Sequence, residues 1–105
     1  MKEITVQELK AKIDNHEDFQ LIDVREELEF DICNLQGELI PMGSILEQVD
    51  RISKEKPVIV HCKAGGRSAA VVNELERQFG FTNLYNLKGG ITAYAQEIDP
   101  SINLY

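Results

Sequence analysis

Two cysteines, Cys33 and Cys62, are all the thiols this chain has, too few for the multi-bridge framework that holds small secreted folds together. Each is therefore judged alone. No apolar run approaches the ~18 residues a membrane-spanning helix requires. The opening Met1-Lys2-Glu3-Ile4-Thr5-Val6-Gln7-Glu8 carries charge where a signal peptide has an apolar stretch. Both absences lead us to expect a soluble, cytoplasmic protein without a membrane partner. Repeats and low-complexity segments are missing as well, and the three prolines, Pro41, Pro57 and Pro100, stand singly between patterned segments. With no linker and only 105 residues, the chain is expected to form one domain, 1–105, because domains cluster near ~100 to 150 residues. Positive charge is scarce. Eleven basic residues against 18 acidic ones leave a net charge of −7, which argues against a nucleic-acid backbone or an anionic membrane as partner. The 43% hydrophobic and 28% charged residues are ordinary globular usage, enough for a packed core and unlike disordered, collagen-like or coiled-coil chains.

Hydrophobic periodicity then supplies the elements. Thr5 with Glu8 forms a capping-box signature, and Val6, Leu9 and Ile13 recur at helical spacing. Phe19 to Val24 is an apolar run too short for a helix and reads as a buried strand that delivers Asp23 and Arg25 at its far end. Glu26 to Asp31 suits a helical turn, and Leu39-Ile40 a short apolar stretch stopped by Pro41. Ser44 and Glu47 repeat the capping-box pattern, with Ile45, Leu46, Val49 and Ile52 marking one helix face. Pro57 to His61 is the strongest strand, because proline is tolerated at a strand's first residue and three branched apolar residues follow it. Ser68 to Phe79 reads as a helix closed by Gly80, Leu84 to Leu87 as a strand, and Ile91 to Ile98 as a last amphipathic helix. Alternating strands and helices require crossover connections, which implies an α/β fold with a largely parallel sheet.

One segment stands apart: His61-Cys62-Lys63-Ala64-Gly65-Gly66-Arg67-Ser68 places a cysteine at the carboxyl end of a buried strand and just before a helix. Ligands of open α/β sheets bind at that edge. Paired glycines let the backbone fold tightly enough for several N–H groups to face whatever Cys62 carries. The next helix aims its positive end at the same point. Lys63 and Arg67 add two cations, so the thiol pKa should fall below its free value of ~8.5, and a drop of ~2 units corresponds to ~3 kcal/mol of preference for the anion. The competing reading, a small buried hydrophobe ending a core strand, is the usual fate of an isolated cysteine. It leaves the glycines and cations without a purpose, and a nucleophilic Cys62 is expected. Four residues separate Cys62 from Arg67, whereas cysteine-dependent phosphatases resemble His-Cys, five residues, then Arg. A phosphoryl group in transfer presents three equatorial oxygens and needs a wide ring of donors; the shorter loop suits a single outer sulfur.

The chain resembles the rhodanese (sulfurtransferase) family over nearly its whole length. Asp23-Val24-Arg25-Glu26 is similar to the family's first signature, Cys62 to Arg67 to its active-site loop, and Leu87-Lys88-Gly89-Gly90-Ile91 to its late signature. Glu29-Phe30-Asp31-Ile32-Cys33-Asn34, His61 to Ala69 and Glu97-Ile98-Asp99-Pro100-Ser101-Ile102 resemble the rhodanese domain at the C-terminus of adenylyltransferase/sulfurtransferase proteins. Those proteins load sulfur onto ubiquitin-like carriers for molybdopterin synthesis or tRNA thiolation. The resemblance implies a three-layer fold, a five-stranded, mainly parallel sheet between helices, and no metal or organic cofactor. It implies that Cys62 accepts sulfane sulfur and passes it on as a persulfide. The donor would be a small anion such as thiosulfate or a persulfide-bearing protein, and a ubiquitin-like sulfur carrier is a candidate partner. Tyr94 stands where the family usually has tryptophan and Gln36 where it often has proline, departures that touch packing and loop stiffness. The adenylyltransferase portion is absent.

Roles follow for the neighbours. The backbone of Lys63, Ala64, Gly65, Gly66 and Arg67 would hold the outer sulfur, with the Lys63 and Arg67 side chains steering an anionic donor. Asp23 either receives a hydrogen bond from the loop, neutralises Arg25 or is satisfied by local backbone. Arg25 is expected to pair with Glu26. His61 precedes Cys62 on a strand and should point to the opposite face as a core histidine, and Cys33 should be buried packing. His16 has no partner at metal-ligand spacing. A non-catalytic rhodanese-like binding module and a cysteine phosphatase or arsenate reductase are the alternatives to sulfur transfer.

Overall fold

The computed structural model describes residues 1–105. Five strands form one wholly parallel sheet: β1 (Lys2–Ile4), β2 (Gln20–Asp23), β3 (Glu38–Leu39), β4 (Val58–His61) and β5 (Leu84–Leu87), in the order β1-β5-β4-β2-β3. Three helices lie in the connections, α1 (Val6–Asp14), α2 (Glu27–Ile32) and α3 (Gly66–Phe79), and a fourth, α4 (Gly90–Glu97), follows β5. Every residue of the central strand β4 is buried, as a parallel strand covered on both faces requires. Its side chains alternate. Val58 and Val60 join a cluster with Ile22, Val71, Val72 and Leu75, whereas Ile59 joins Ile4, Val6, Leu9, Leu87 and Tyr94 on the other face. No helix is long and apolar enough to cross a membrane.

The capping box of α1 is present, with Glu8 N–H donating to Thr5 Oγ1 (3.1 Å) and Thr5 N–H to Glu8 Oε1 (2.9 Å). Its counterpart at Ser44 is not. In place of a helix over 45–52 the chain makes two 3₁₀ turns, Ile45–Glu47 and Val49–Arg51. The apolar spacing there was real, since Ile45 and Ile52 are buried. However, so short a segment gains too few i→i−4 bonds to offset helix nucleation, and Ser44 Oγ turns back to Pro41 O (3.4 Å). Strand β1 has no sequence signal beyond Ile4, because Lys2 and Glu3 are exposed; pairing with β5 makes it a strand. Tyr94, in the place of the family's tryptophan, is buried at 8% exposure beside Ile4 and Leu87.

Candidate active site

Strands β2 and β4 run side by side, with Asp23 in register with His61. Their carboxyl ends therefore meet at one edge, and the chain leaves β4 directly into Cys62. Residues 62–65 then turn into α3, whose N-cap is Gly65 at φ 110°, a left-handed conformation that favours glycine. Gly65 has no side chain to cap the helix, and the sulfur of Cys62 takes that place. It accepts N–H bonds from Gly65 (3.1 Å) and Ser68 (3.4 Å) and lies 3.3 Å from the Ser68 hydroxyl. A serine or aspartate oxygen ordinarily fills this position.

Burial pushes the Cys62 thiol up, since the residue is only 1% exposed. The hydroxyl and N–H of Ser68 and the amides of Gly65 and Ala64 outweigh that and bring the thiol below its ordinary value. The amides of Gly66 and Arg67 make no hydrogen bond within the chain, as expected for the first turn of a helix. The Ser68 hydroxyl has one proton and three acceptors in range: Cys62 Sγ, Gly65 O (3.2 Å) and Asn86 Oδ1 (2.5 Å). Donation to Asn86 suits the neutral thiol; donation to sulfur suits the thiolate.

The loop is also fixed from behind. Ile91 N–H donates to Cys62 O and Thr92 N–H to Lys63 O, both at 3.0 Å, so the start of α4 holds the first two loop carbonyls. Gly90 makes that approach possible: a Cβ there would lie 2.5 Å from each of those carbonyl oxygens.

Asp23 and Arg25 are buried together. Arg25 Nη2 donates to Asp23 Oδ2 (2.7 Å) and Nε to both carboxylate oxygens (3.0 and 3.1 Å). The remaining guanidinium donors reach Cys33 O (2.7 Å), Glu29 O (3.5 Å) and the Tyr105 hydroxyl (3.1 Å). The partner of Arg25 is thus Asp23, and the expected pairing with Glu26 is corrected. Glu26 is exposed and its N–H donates to Glu29 Oε1 (3.1 Å) as the cap of α2. Neither Asp23 nor Arg25 bonds to the sulfur; they hold the ends of β2 and α2 in place. His61 is buried, with Nδ1 3.4 Å from Cys62 O and Nε2 3.7 Å from Asp23 Oδ2 and without a hydrogen-bond partner. Burial pushes its pKa down, against the pull of Asp23. Cys33 is half-buried rather than buried, and its carbonyl serves Arg25.

The two loop cations are engaged. Arg67 forms a two-pronged pair with Glu29, at 2.7 and 2.9 Å, and this pairing holds the Glu29 carboxyl down at about 2. Tyr105 donates its hydroxyl to Glu29 Oε2 (2.5 Å), while Lys63 Nζ donates to Tyr105 O (2.7 Å) and sits 4.2 Å from the centre of its ring. Glu29, Ser68, Asn86 and Tyr105 had no role in the sequence reading. Asn86 alone left a signal, a polar residue in the otherwise apolar strand Leu84-Tyr85-Asn86-Leu87. No group of three His, Cys, Asp or Glu side chains is placed to hold a metal ion.

A parallel α/β sheet that delivers a cysteine to the N-terminus of a helix at its carboxyl edge defines a class of thiol-presenting α/β domains. Within that class, a model of the rhodanese-like domain matches residues 5–97, and the chain belongs to that family. It is 41% identical to the rhodanese-like/PpiC domain-containing protein 12 of Arabidopsis thaliana, over 100% of this chain and 38% of that one. It is 33% identical to the probable adenylyltransferase/sulfurtransferase MoeZ of Mycobacterium tuberculosis, over 97% of this chain and 26% of that one. These relatives are thus much longer than the chain. The putative sulfurtransferase YtwF of Bacillus subtilis matches end to end, 38% identical over 95% of this chain and 96% of that one. Among solved structures, SSP1007 of Staphylococcus saprophyticus superposes with a TM-score of 0.82 at 37% identity, covering 93% of this chain and 97% of that one.

Proposed function

We propose that the chain is a cytoplasmic sulfurtransferase of the rhodanese type that carries sulfane sulfur on Cys62. The observation that supports this most directly is the sulfur's seat at the N-terminus of α3, with the amides of Gly65 and Ser68 on Sγ and those of Gly66 and Arg67 unpaired beside it. In the first half-reaction the Cys62 thiolate attacks the outer sulfur of the donor. A new S–S bond forms, the donor's own bond to that sulfur breaks, and the donor leaves with the electron pair, as a thiolate from a persulfide or as sulfite from thiosulfate. The free amides of Gly66 and Arg67 receive the negative outer sulfur, at the positive end of the helix. In the second, a nucleophile such as an acceptor thiolate, cyanide or the thiocarboxylate of a ubiquitin-like carrier attacks that sulfur and Cys62 departs as a thiolate. The lowered thiol pKa assists this departure. No net redox change and no cofactor are needed.

Intact-mass measurement after incubation with thiosulfate or a persulfide donor should show one added sulfur on the wild-type chain and none on Cys62→Ser. Later cyanide should remove it as thiocyanate, and an aryl phosphate should stay intact. Phosphate release with no added sulfur would reverse the assignment in favour of the phosphatase reading. A fully folded protein that takes up no sulfur from any donor would favour the binding-module reading.

A further inference from the structure

Both cations that the loop offers to a donor are already occupied by this chain's own groups. Arg67 is gripped by Glu29 through both carboxylate oxygens, at 2.7 and 2.9 Å. Lys63 is held by the carbonyl and ring of Tyr105. The phenol of Tyr105 joins the two ends of the arrangement, donating to Glu29 and accepting from Arg25. The loop between Lys63 and Arg67 is thus bracketed on both sides, and the cysteine it carries is 1% exposed. Arg25 adds no free charge because Asp23 neutralises it at 2.7 Å. Once the thiolate is counted, the charges of Asp23, Arg25, Glu29, Lys63, Arg67 and Cys62 cancel, within a chain whose net charge is −7. A compact dianion approaching this mouth meets an arginine already paired with a carboxylate, a lysine already covered by Tyr105, and a repulsive long-range field.

Resting on the sulfur-transfer reading, we infer that Glu29 and Tyr105 form a charge latch that sets donor selectivity. The latch disfavours the free dianion thiosulfate and favours a persulfide, which brings at most one negative charge on the atom to be transferred. Transfer from the persulfide joins its outer sulfur to Cys62 and releases the donor thiolate with the electron pair of the broken S–S bond. Glu29 touches neither sulfur; it acts by neutralising Arg67, and Tyr105 acts by holding Glu29 and covering Lys63.

Two measurements test this in the wild-type chain, Glu29→Gln and Tyr105→Phe. The first is the ratio of kcat/KM for thiosulfate to that for cysteine persulfide, a monoanion overall. The second is independent of sulfur transfer: the ratio of Cys62 alkylation rates by anionic iodoacetate and neutral iodoacetamide, read at the Cys62 peptide so that Cys33 does not contribute. Freeing one guanidinium should raise both ratios about tenfold in Glu29→Gln, and loss of the phenol should raise them about threefold in Tyr105→Phe. Added salt should raise the wild-type preference for iodoacetate and lower that of Glu29→Gln, since screening weakens repulsion and attraction alike. Ratios that stay flat, or rates for charged and neutral reagents that rise together, would overturn the latch and indicate simple opening of the mouth. If no donor loads Cys62 in any variant while the alkylation ratio still rises, sulfur transfer falls and the charge screen stands.

Discussion

Cys62 has two jobs that can be separated by substitution. As an acceptor at the start of α3 it satisfies amides that would otherwise have no partner, so Cys62→Ser should keep the cap and Cys62→Ala should lose it. Loss of a side-chain cap costs about 1 kcal/mol, and urea unfolding should find the alanine variant less stable than the serine variant by about that amount, although neither carries sulfur. The Ser68 hydroxyl, the largest single bond offset against burial of the thiol, can be tested by pH. Iodoacetamide alkylation of wild-type Cys62 should rise with a midpoint below that of a free thiol, and Ser68→Ala should move that midpoint upward. Cys62 and its loop were legible in the sequence because composition and spacing both marked them. Ser68 was legible only as a helix start. Its second role depends on Asn86 arriving from β5, 18 residues away in the chain, a juxtaposition that no local pattern encodes.

Among the elements, α4 shows why two glycines, Gly89 at the cap and Gly90 as first residue, open a helix that has no sequence-local need of them. The turn Lys88-Gly89-Gly90 reads as a loop, but its purpose lies in the contact between the first turn of α4 and the carbonyls of Cys62 and Lys63. Gly90→Ala would place a methyl group 2.5 Å from two carbonyl oxygens, at a residue with φ 57°, so the loop or the helix must shift. The expected result is a loss of about 1–3 kcal/mol, as for strain at a special backbone position, together with slower alkylation of Cys62. An unchanged alkylation rate would show that the cradle is held without α4. Gln36 is a second case. Where the family often has proline, this residue adopts φ 62° and its N–H bonds to Asn34 Oδ1 (2.8 Å), and proline can supply neither that angle nor that donor. Periodicity located most elements correctly, but it could not distinguish the 3₁₀ turns at 45–51 from a helix. Nor could it find β1, whose identity comes from its partner strand.

At the scale of the whole molecule, buried charge makes stability depend on pH. Arg25 joins the end of β2, helix α2 and Tyr105 through bonds to Asp23, Glu29, Cys33 and Tyr105, so Arg25→Ala strands the Asp23 carboxylate and should cost about 3–5 kcal/mol. Beside that pair, His61 is held neutral by burial, with a folded pKa below the unfolded value of ~6.5. A depressed folded pKa means that the unfolded chain binds the proton first. Stability from this group is therefore full above pH ~6.5 and declines below it, by at most ~1.4 kcal/mol per pH unit for one proton. Glu29 has the same sign at lower pH: its carboxyl is ordinarily near 4.5 and held at about 2 in the fold, so its contribution is present above pH 4.5 and is lost as pH falls toward 2. Urea midpoints measured across pH should thus fall in two stages. His61→Gln should flatten the stage that begins near pH 6.5, and Glu29→Gln the stage below pH 4.5. If His61→Gln leaves the upper stage unchanged, the proton taken up there belongs to another group.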